Sequence, residues 1–175
     1  MNDNPTSALA RAYHFAARSH VNQRRKGEAA EPYVNHLTEV ADLVAQATGG
    51  DAELIMAAVL HDTIEDTEVT LEELRAAFGD RVADWVAEVT DDKSLPKDVR
   101  KATQIEHAAH ASMGAKIIKL ADKTSNLRAL AASPPAGWSM ERRMEYVSWA
   151  GLVVDRCRHA NAWLAAQFDE AAAAL

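Results

Sequence analysis

The sequence predicts an all-α protein, and three observations carry that prediction. Apolar residues recur at intervals of three and four along most of the chain, the spacing that gathers them on one face of a helix. Helix-starting and helix-stopping residues stand at the ends of those runs. No segment keeps the period-two alternation of a half-buried strand. A chain of 175 residues is long enough to bury one sizeable core, and no composition shift or linker divides it. One domain over residues 1–175, built as a bundle of about eight to ten short helices, is therefore expected.

The elements follow in order. From Ser7 to His20, Leu9, Tyr13, Ala16 and Ala17 fall near one helical face. The polar stretch NQRRKGEAAEP, residues 22–32, breaks that pattern and reads as a basic loop. From Tyr33 to Ala47, Val34, Leu37, Val40, Ala41 and Val44 return to helical spacing, and Gly49-Gly50 stops it. Asp51 is an N-cap for the helix through LIMAAVLHD, residues 54–62. Thr70 with Glu73 forms a capping box for TLEELRAAF, with Gly79 as its stop. Further helical stretches run over 80–90, 97–111, 115–131 and 140–168, and Pro134, Pro135 and Gly137 mark the last clear turn.

Composition narrows the functional classes. The formal charge of −7 argues against a nucleic-acid-binding surface, which carries a basic excess. A small anionic substrate is compatible with it, because a metal or a local basic cluster outweighs the global field. Cys157 is the only cysteine, so there is neither an intrachain disulfide nor a thiolate metal cluster. The N-terminus MNDNPTSALARAYHF has no signal pattern, and no apolar run nears the ~20 residues of a membrane span. A cytoplasmic setting without membrane contact is the expectation.

The octet HDTIEDTE, residues 61–68, holds four carboxylates directly behind an apolar helix. Two unit charges about 4 Å apart repel by roughly 4 kcal/mol at an effective dielectric near 20. The C-terminal end of a helix is also a poor place for an unpaired carboxylate, because the dipole is negative there. If the helix continued, His61 would face Glu65 and Asp62 would face Asp66. A divalent cation reverses the sign of that arrangement. His36 interrupts an amphipathic helix, and Asp122 follows the apolar turn of Ile117, Ile118 and Leu120. Two imidazoles and two carboxylates from three helices make a mixed N/O set suited to manganese, iron or zinc. Taken singly, each residue has an ordinary account: a packed histidine, a solvated acidic turn, an ion-paired aspartate. Spacing leaves both accounts standing.

The words around these residues go further. His36, His61-Asp62 and Asp122 resemble the signature of the HD metal-dependent phosphohydrolases. RRKG…PYVNH, HDTIEDT, VTDDKSLPK and KLADKTSNLR, over about residues 7–165, resemble the hydrolase domain of the RelA/SpoT family, which degrades the alarmones ppGpp and pppGpp. The segment GWSMERRMEYVSWA is similar to the stand-alone small alarmone hydrolases, including the metazoan type. The resemblance implies that His36, His61, Asp62 and Asp122 hold one Mn²⁺ ion, and that Glu65 and Asp66 serve catalysis. It implies that Arg24, Arg25 and Lys26 grip the nucleotide and that Asn126 faces the ribose and 3′-phosphate. Lys97, Arg142 and Tyr146 would approach the other phosphates or the base. The expected activity is hydrolysis of (p)ppGpp to pyrophosphate and GDP or GTP. Most of Trp138, Tyr146, Trp149 and Trp163 read as core, with only Tyr146 nominated to meet the base.

Two positions depart from the family pattern. Leu37 stands where many relatives carry proline after the histidine, and the GEAAE loop is longer than in many bacterial members. Neither touches a ligand. No synthetase partner domain is expected. Two rival functions remain: a phosphatase on another phosphorylated nucleotide, such as the 2′-phosphate of NADPH, and a non-catalytic alarmone sensor. The intact Glu65-Asp66 pair argues against the sensor.

Overall fold

A computed structural model describes residues 4–175. Residues 1–3, where the segment read above as lacking a signal pattern begins, lie outside the described residues. Within them the chain forms ten α-helices and one 3-10 turn, and its only β-type pairings are two isolated bridges. The all-α prediction holds. The helices are α1 (Pro5–Ser19), α2 (Val34–Thr48), α3 (Ala52–Leu60), α4 (Thr63–Asp66), α5 (Leu71–Phe78), α6 (Asp80–Val89), α7 (Lys97–His110), α8 (Met113–Ala132), α9 (Met140–Asp155) and α10 (Ala162–Ala173).

Helix α3 is the centre of the bundle. Every residue from Leu54 to Leu60 is buried, which is what a helix apolar on all sides requires. Helices α1, α2 and α6 surround it, and α8 packs on α2, α6 and α10. The starts and stops are those the sequence marks. The Asp51 carboxylate accepts from the Leu54 N–H at 3.2 Å, and the Thr70–Glu73 capping box is complete. Gly49 closes α2 in the left-handed conformation at φ 65°.

Three expectations need correction. On α1 the buried stripe is Ala8, Ala12 and Ala16, with Leu9 and Tyr13 packed beside it, while Ala17 is exposed. The stretch 140–168 is not continuous helix. It breaks after Asp155, passes through the 3-10 turn Arg158–Ala160, and restarts where Asn161 accepts from the Leu164 N–H at 2.9 Å. No glycine or proline marks that break. Asn161 also donates to the Ala47 carbonyl at 2.9 Å, so tertiary contact fixes the corner. Finally, Trp163 is not core; it is 39% exposed.

Glycines at two helical positions separate packing from propensity. Gly114 is buried in the first turn of α8, and an added Cβ would overlap the Trp85 indole. Gly151 lies within α9 with nothing within 4 Å of such an atom. Gly114→Ala is expected to destabilise by about 1–3 kcal/mol through overpacking. Gly151→Ala is expected to stabilise by about 0.4–1 kcal/mol. Urea midpoints moving in opposite directions check both.

Candidate active site

The buried helix α3 ends at Leu60, and the chain turns through Asp62 at φ −96° and ψ 1° before the single turn of α4. The helix therefore does not continue through HDTIED, so the condition for His61 facing Glu65 and Asp62 facing Asp66 is not met. The break turns His61 and Asp62 toward His36, from the first turn of α2, and toward Asp122, midway along α8. His61 Nε2 lies 3.1 Å from Asp62 Oδ2 and 3.8 Å from Asp122 Oδ1. His36 Nε2 lies 3.6 and 3.4 Å from the same two oxygens. Both histidines are almost fully buried.

Hydrogen bonds fix which nitrogen of each ring faces inward. His61 Nδ1 donates to the Ala58 carbonyl at 2.7 Å. The Ser125 hydroxyl gives its one proton to Glu39 Oε2 at 2.7 Å, so at 2.8 Å it accepts from His36 Nδ1. Each Nε2 then turns a lone pair toward the carboxylates, and His61 Nε2 is buried without a hydrogen-bond partner. His36, His61 and Asp62 bring their donor atoms within 4.8 Å of one another, with Asp122 beside both imidazoles, and a set backed by such outer partners fits a divalent cation. Without a cation, a proton takes its place. Burial pushes His61 down, but Asp62 and Asp122 outweigh it and hold the imidazole up to about 10. Burial of His36 outweighs its carboxylate neighbours and lowers its pKa. Despite burial, the histidines keep Asp62 below the usual carboxylate range, and Lys123 with the histidines does the same for Asp122.

The two acidic residues that follow His61 and Asp62 sit in different surroundings. Glu65 accepts one backbone N–H, from Asp91 at 3.1 Å, and burial raises its carboxyl to about 7. Asp66 accepts from Gln23 Nε2 at 2.7 Å and pairs with Lys93. One carboxyl is thus poised to exchange a proton near neutrality and the other is tied down.

Both face a cleft of about 690 Å³, also lined by Arg24, Arg25, Lys26, Asn126 and Tyr146. Arg25 donates to Asn126 Oδ1 at 3.0 Å, and Asn126 donates to Asp122 Oδ1 at 2.6 Å, which links the basic loop to the ligand cluster. Gly27 holds that loop against Ser133 so closely that any Cβ would overlap the Ser133 carbonyl.

Two nominated residues stand outside this lining. Lys97 is exposed at the start of α7, and Arg100, one turn later, lines the cleft instead. Arg142 is exposed, with its guanidinium 4.5 Å from the Trp138 ring centre. Trp138 itself lines the cleft, a correction to its reading as core. Sequence reasoning missed Tyr33, whose hydroxyl donates to Asp62 Oδ2 at 2.6 Å, and also Gln23, Glu39, Lys93, Arg100 and Ser125. Only Lys93 and Arg100 had a signal, the basic residues spaced through DDKSLPKDVRK.

A family model described as the HD domain matches residues 12–152. A Danio rerio protein named guanosine-3′,5′-bis(diphosphate) 3′-pyrophosphohydrolase MESH1 is 49% identical over 163 residues, 93% of this chain and 91% of the relative. The Homo sapiens protein of that name is 49% identical over 154 residues, 87% of this chain and 86% of that one. A solved structure of a metazoan ortholog of SpoT, described as hydrolyzing ppGpp, superposes with a TM-score of 0.91 at 45% identity. That match covers 97% of this chain and 96% of the other.

Two outcomes follow from the geometry. Ser125→Ala removes the acceptor that orients His36 and is expected to weaken divalent-metal binding about 10–100-fold, read by calorimetry. Glu65 carries a folded-state pKa raised from 4.5 to about 7. Its contribution to stability is present below the unfolded value and is lost as pH rises toward the folded one. Glu65→Gln, which keeps the neutral form, is therefore expected to stabilise the metal-free protein by on the order of 1–3 kcal/mol at pH 8. Chemical denaturation at pH 4 should show the gain gone.

Proposed function

The chain belongs to the HD-domain family, and within it we propose that it hydrolyses guanosine 3′,5′-bis(diphosphate) to GDP and pyrophosphate, and the pentaphosphate to GTP. The observation that carries this reading is the chain of contacts from Arg25 through Asn126 to Asp122. It joins a cation-rich loop and a metal-type ligand cluster in one cleft. A nucleotide phosphorylated at both ends of its ribose needs positive charge in two places, and a guanidinium pairs with phosphate in a fixed fork geometry. The names of the relatives that span most of this chain support the same substrate.

His36, His61, Asp62 and Asp122 would hold one divalent ion, which we assign as Mn²⁺. Bound there, such an ion supplies Lewis acidity toward a phosphoryl oxygen and lowers the pKa of water toward neutrality. The remaining work falls to the chain. Tyr33 and Asn126 hold the carboxylates of Asp62 and Asp122 in orientation. Glu65 takes the proton of the attacking water, whose oxygen bonds to the phosphorus on the 3′-oxygen. The bond from that phosphorus to the 3′-oxygen breaks, and a carboxyl that titrates near neutrality is suited to return the proton to the leaving oxygen. Asp66, tied to Gln23 and Lys93, positions rather than exchanges protons. Arg24, Arg25 and Lys26 bind the 5′-phosphates, and Tyr146 meets the base. A cytoplasmic setting belongs to the same proposal. The one cysteine, Cys157, is buried and free, so nothing in the chain calls for an oxidising compartment.

The test is a product assay with ppGpp and Mn²⁺ resolved by anion exchange. GDP and pyrophosphate are expected, and both should vanish with a chelator. Asp62→Ala is expected to lose metal and turnover together. Glu65→Gln is expected to keep metal while kcat falls by about 10²–10⁴. Intact ppGpp in the presence of metal-loaded protein would overturn the reading.

A further inference from the structure

A second, polar cavity of about 160 Å³ opens beside the cluster and takes His61, Asp62 and Asp122 into its own lining. One water needs only about 10–15 Å³ by this measure, so the space is ligand-sized. It shares Tyr33, Asp62, Glu65 and Asn126 with the nucleotide cleft. Its far wall carries Lys119 and Lys123, one turn apart on α8 and only 6% and 5% exposed, together with Gln104 and Asp91.

An ammonium has three N–H donors. Among the described residues, Lys119 donates to the Val89 carbonyl at 3.0 Å and Lys123 to Asp122 Oδ2 at 3.0 Å. Lys123 Nζ also lies 4.8 Å from the centre of the Trp149 ring. Two donors on Lys119 remain without a protein acceptor, at a depth where an unmet polar group is costly. Asp91 stands on that wall, and Asp62, Glu65 and Asp122 line the side toward the cluster, where a bound divalent ion would counter the two aspartates. The Gln104 amide donates to Asp91, and the Lys119 ammonium lies 4.0 Å away, so the Asp91 charge is already countered. Gln104 Oε1 is buried and has no partner. The wall therefore offers several N–H donors and one acceptor, the complement of a compact polyoxyanion that carries one hydroxyl.

We propose that this recess seats the terminal phosphate of the 3′-diphosphate, with Lys119 and Lys123 as its binding residues. The inference rests on the hydrolase reading. The bond from the 3′-oxygen to phosphorus lies at the mouth, beside Glu65. The phosphoryl group beyond it reaches past Asp122 into the recess, and the departing pyrophosphate is held there. A 3′-monophosphate leaves the recess to water, so these lysines select for a diphosphate leaving group.

The experiment is calorimetric binding of pyrophosphate and of orthophosphate to the Mn²⁺-loaded full chain. Pyrophosphate is expected to bind more tightly, and Lys119→Met to weaken pyrophosphate about 10–100-fold while orthophosphate changes about twofold at most. Gln104→Glu, an isosteric change on a half-buried wall that adds a negative charge, is expected to act in the same direction and serves if Lys119→Met does not fold. Turnover should follow, with Lys119→Met losing more on ppGpp than on the analogue carrying a 3′-monophosphate. Undiminished pyrophosphate affinity in either folded variant, or equal losses on the two nucleotides, would overturn the recess assignment. Lys119-dependent pyrophosphate binding in a protein that leaves ppGpp intact would instead sink the hydrolase reading and leave the recess as an oxyanion site.

Discussion

Two imidazoles and two carboxylates gathered at one desolvated place are the constraint around which the molecule is arranged. His36, His61, Asp62 and Asp122 come from two helices and the break after a third, with N···O separations of 3.1 to 3.8 Å. Unpaired, such groups repel and resist burial. The core answers by making every approach rigid. Helix α3 is apolar on all sides and locked among α1, α2 and α6, so its last turn has one position only. The outer hydrogen bonds, from the two rings to Ser125 and Ala58 and from Tyr33, Lys123 and Asn126 to the carboxylates, remove the remaining freedom. A cluster held this way meets the condition for binding a cation without reorganisation.

The same rigidity separates two carboxylates that are adjacent in sequence. Thr63–Asp66 is a single helical turn, so Glu65 and Asp66 point to different neighbours. Asp66 meets the cationic side of the cleft through Lys93 and the amide of Gln23. Glu65 meets only one backbone N–H and a mostly desolvated space. Burial raises the Glu65 carboxyl, while two side-chain partners hold Asp66 in place. Local geometry thus divides a pair that sequence presents as equivalent.

Much of this was legible from residue types because the signals are local. A cap needs a particular side chain at a particular offset, and Asp51, Thr70 with Glu73, Gly49 and Gly79 all stand where the sequence put them. The grouping of His36, His61, Asp62 and Asp122 was only half legible: charged residues interrupt apolar runs, but each has an ordinary account alone, and the family resemblance brought the four together. The corner at 156–161 was not legible, since it depends on Asn161 reaching Ala47, 114 residues away in sequence. Ser125 and Glu39 were hidden for the same reason: each looks like an unremarkable polar position on its own helix until the two helices pack. Lys97 was nominated where Arg100 lines the cleft, because a family word fixes a neighbourhood and the phase of α7 fixes which residue turns inward.

Helix α8 explains how a chain of net charge −7 can still receive a polyanion. Its apolar residues Ile118, Leu120, Leu127 and Leu130 anchor it in the core, while Lys119, Asp122, Lys123, Ser125 and Asn126 all serve the site. Those five residues span less than two turns, about 9–11 Å of rise at 1.5 Å per residue. One rigid rod therefore sets the spacing between the recess, the ligand cluster and the contact to Arg25. The basic loop is pinned to the end of the same rod, by Gly27 against Ser133 and by Arg25 on Asn126. Positive charge is thus held at fixed distances on either side of the ligands, and screening by the acidic exterior matters little at these separations. In the proposed reaction, recognition of a nucleotide charged at both ends would depend on how far apart one helix holds its partners, and hardly at all on the charge of the whole surface.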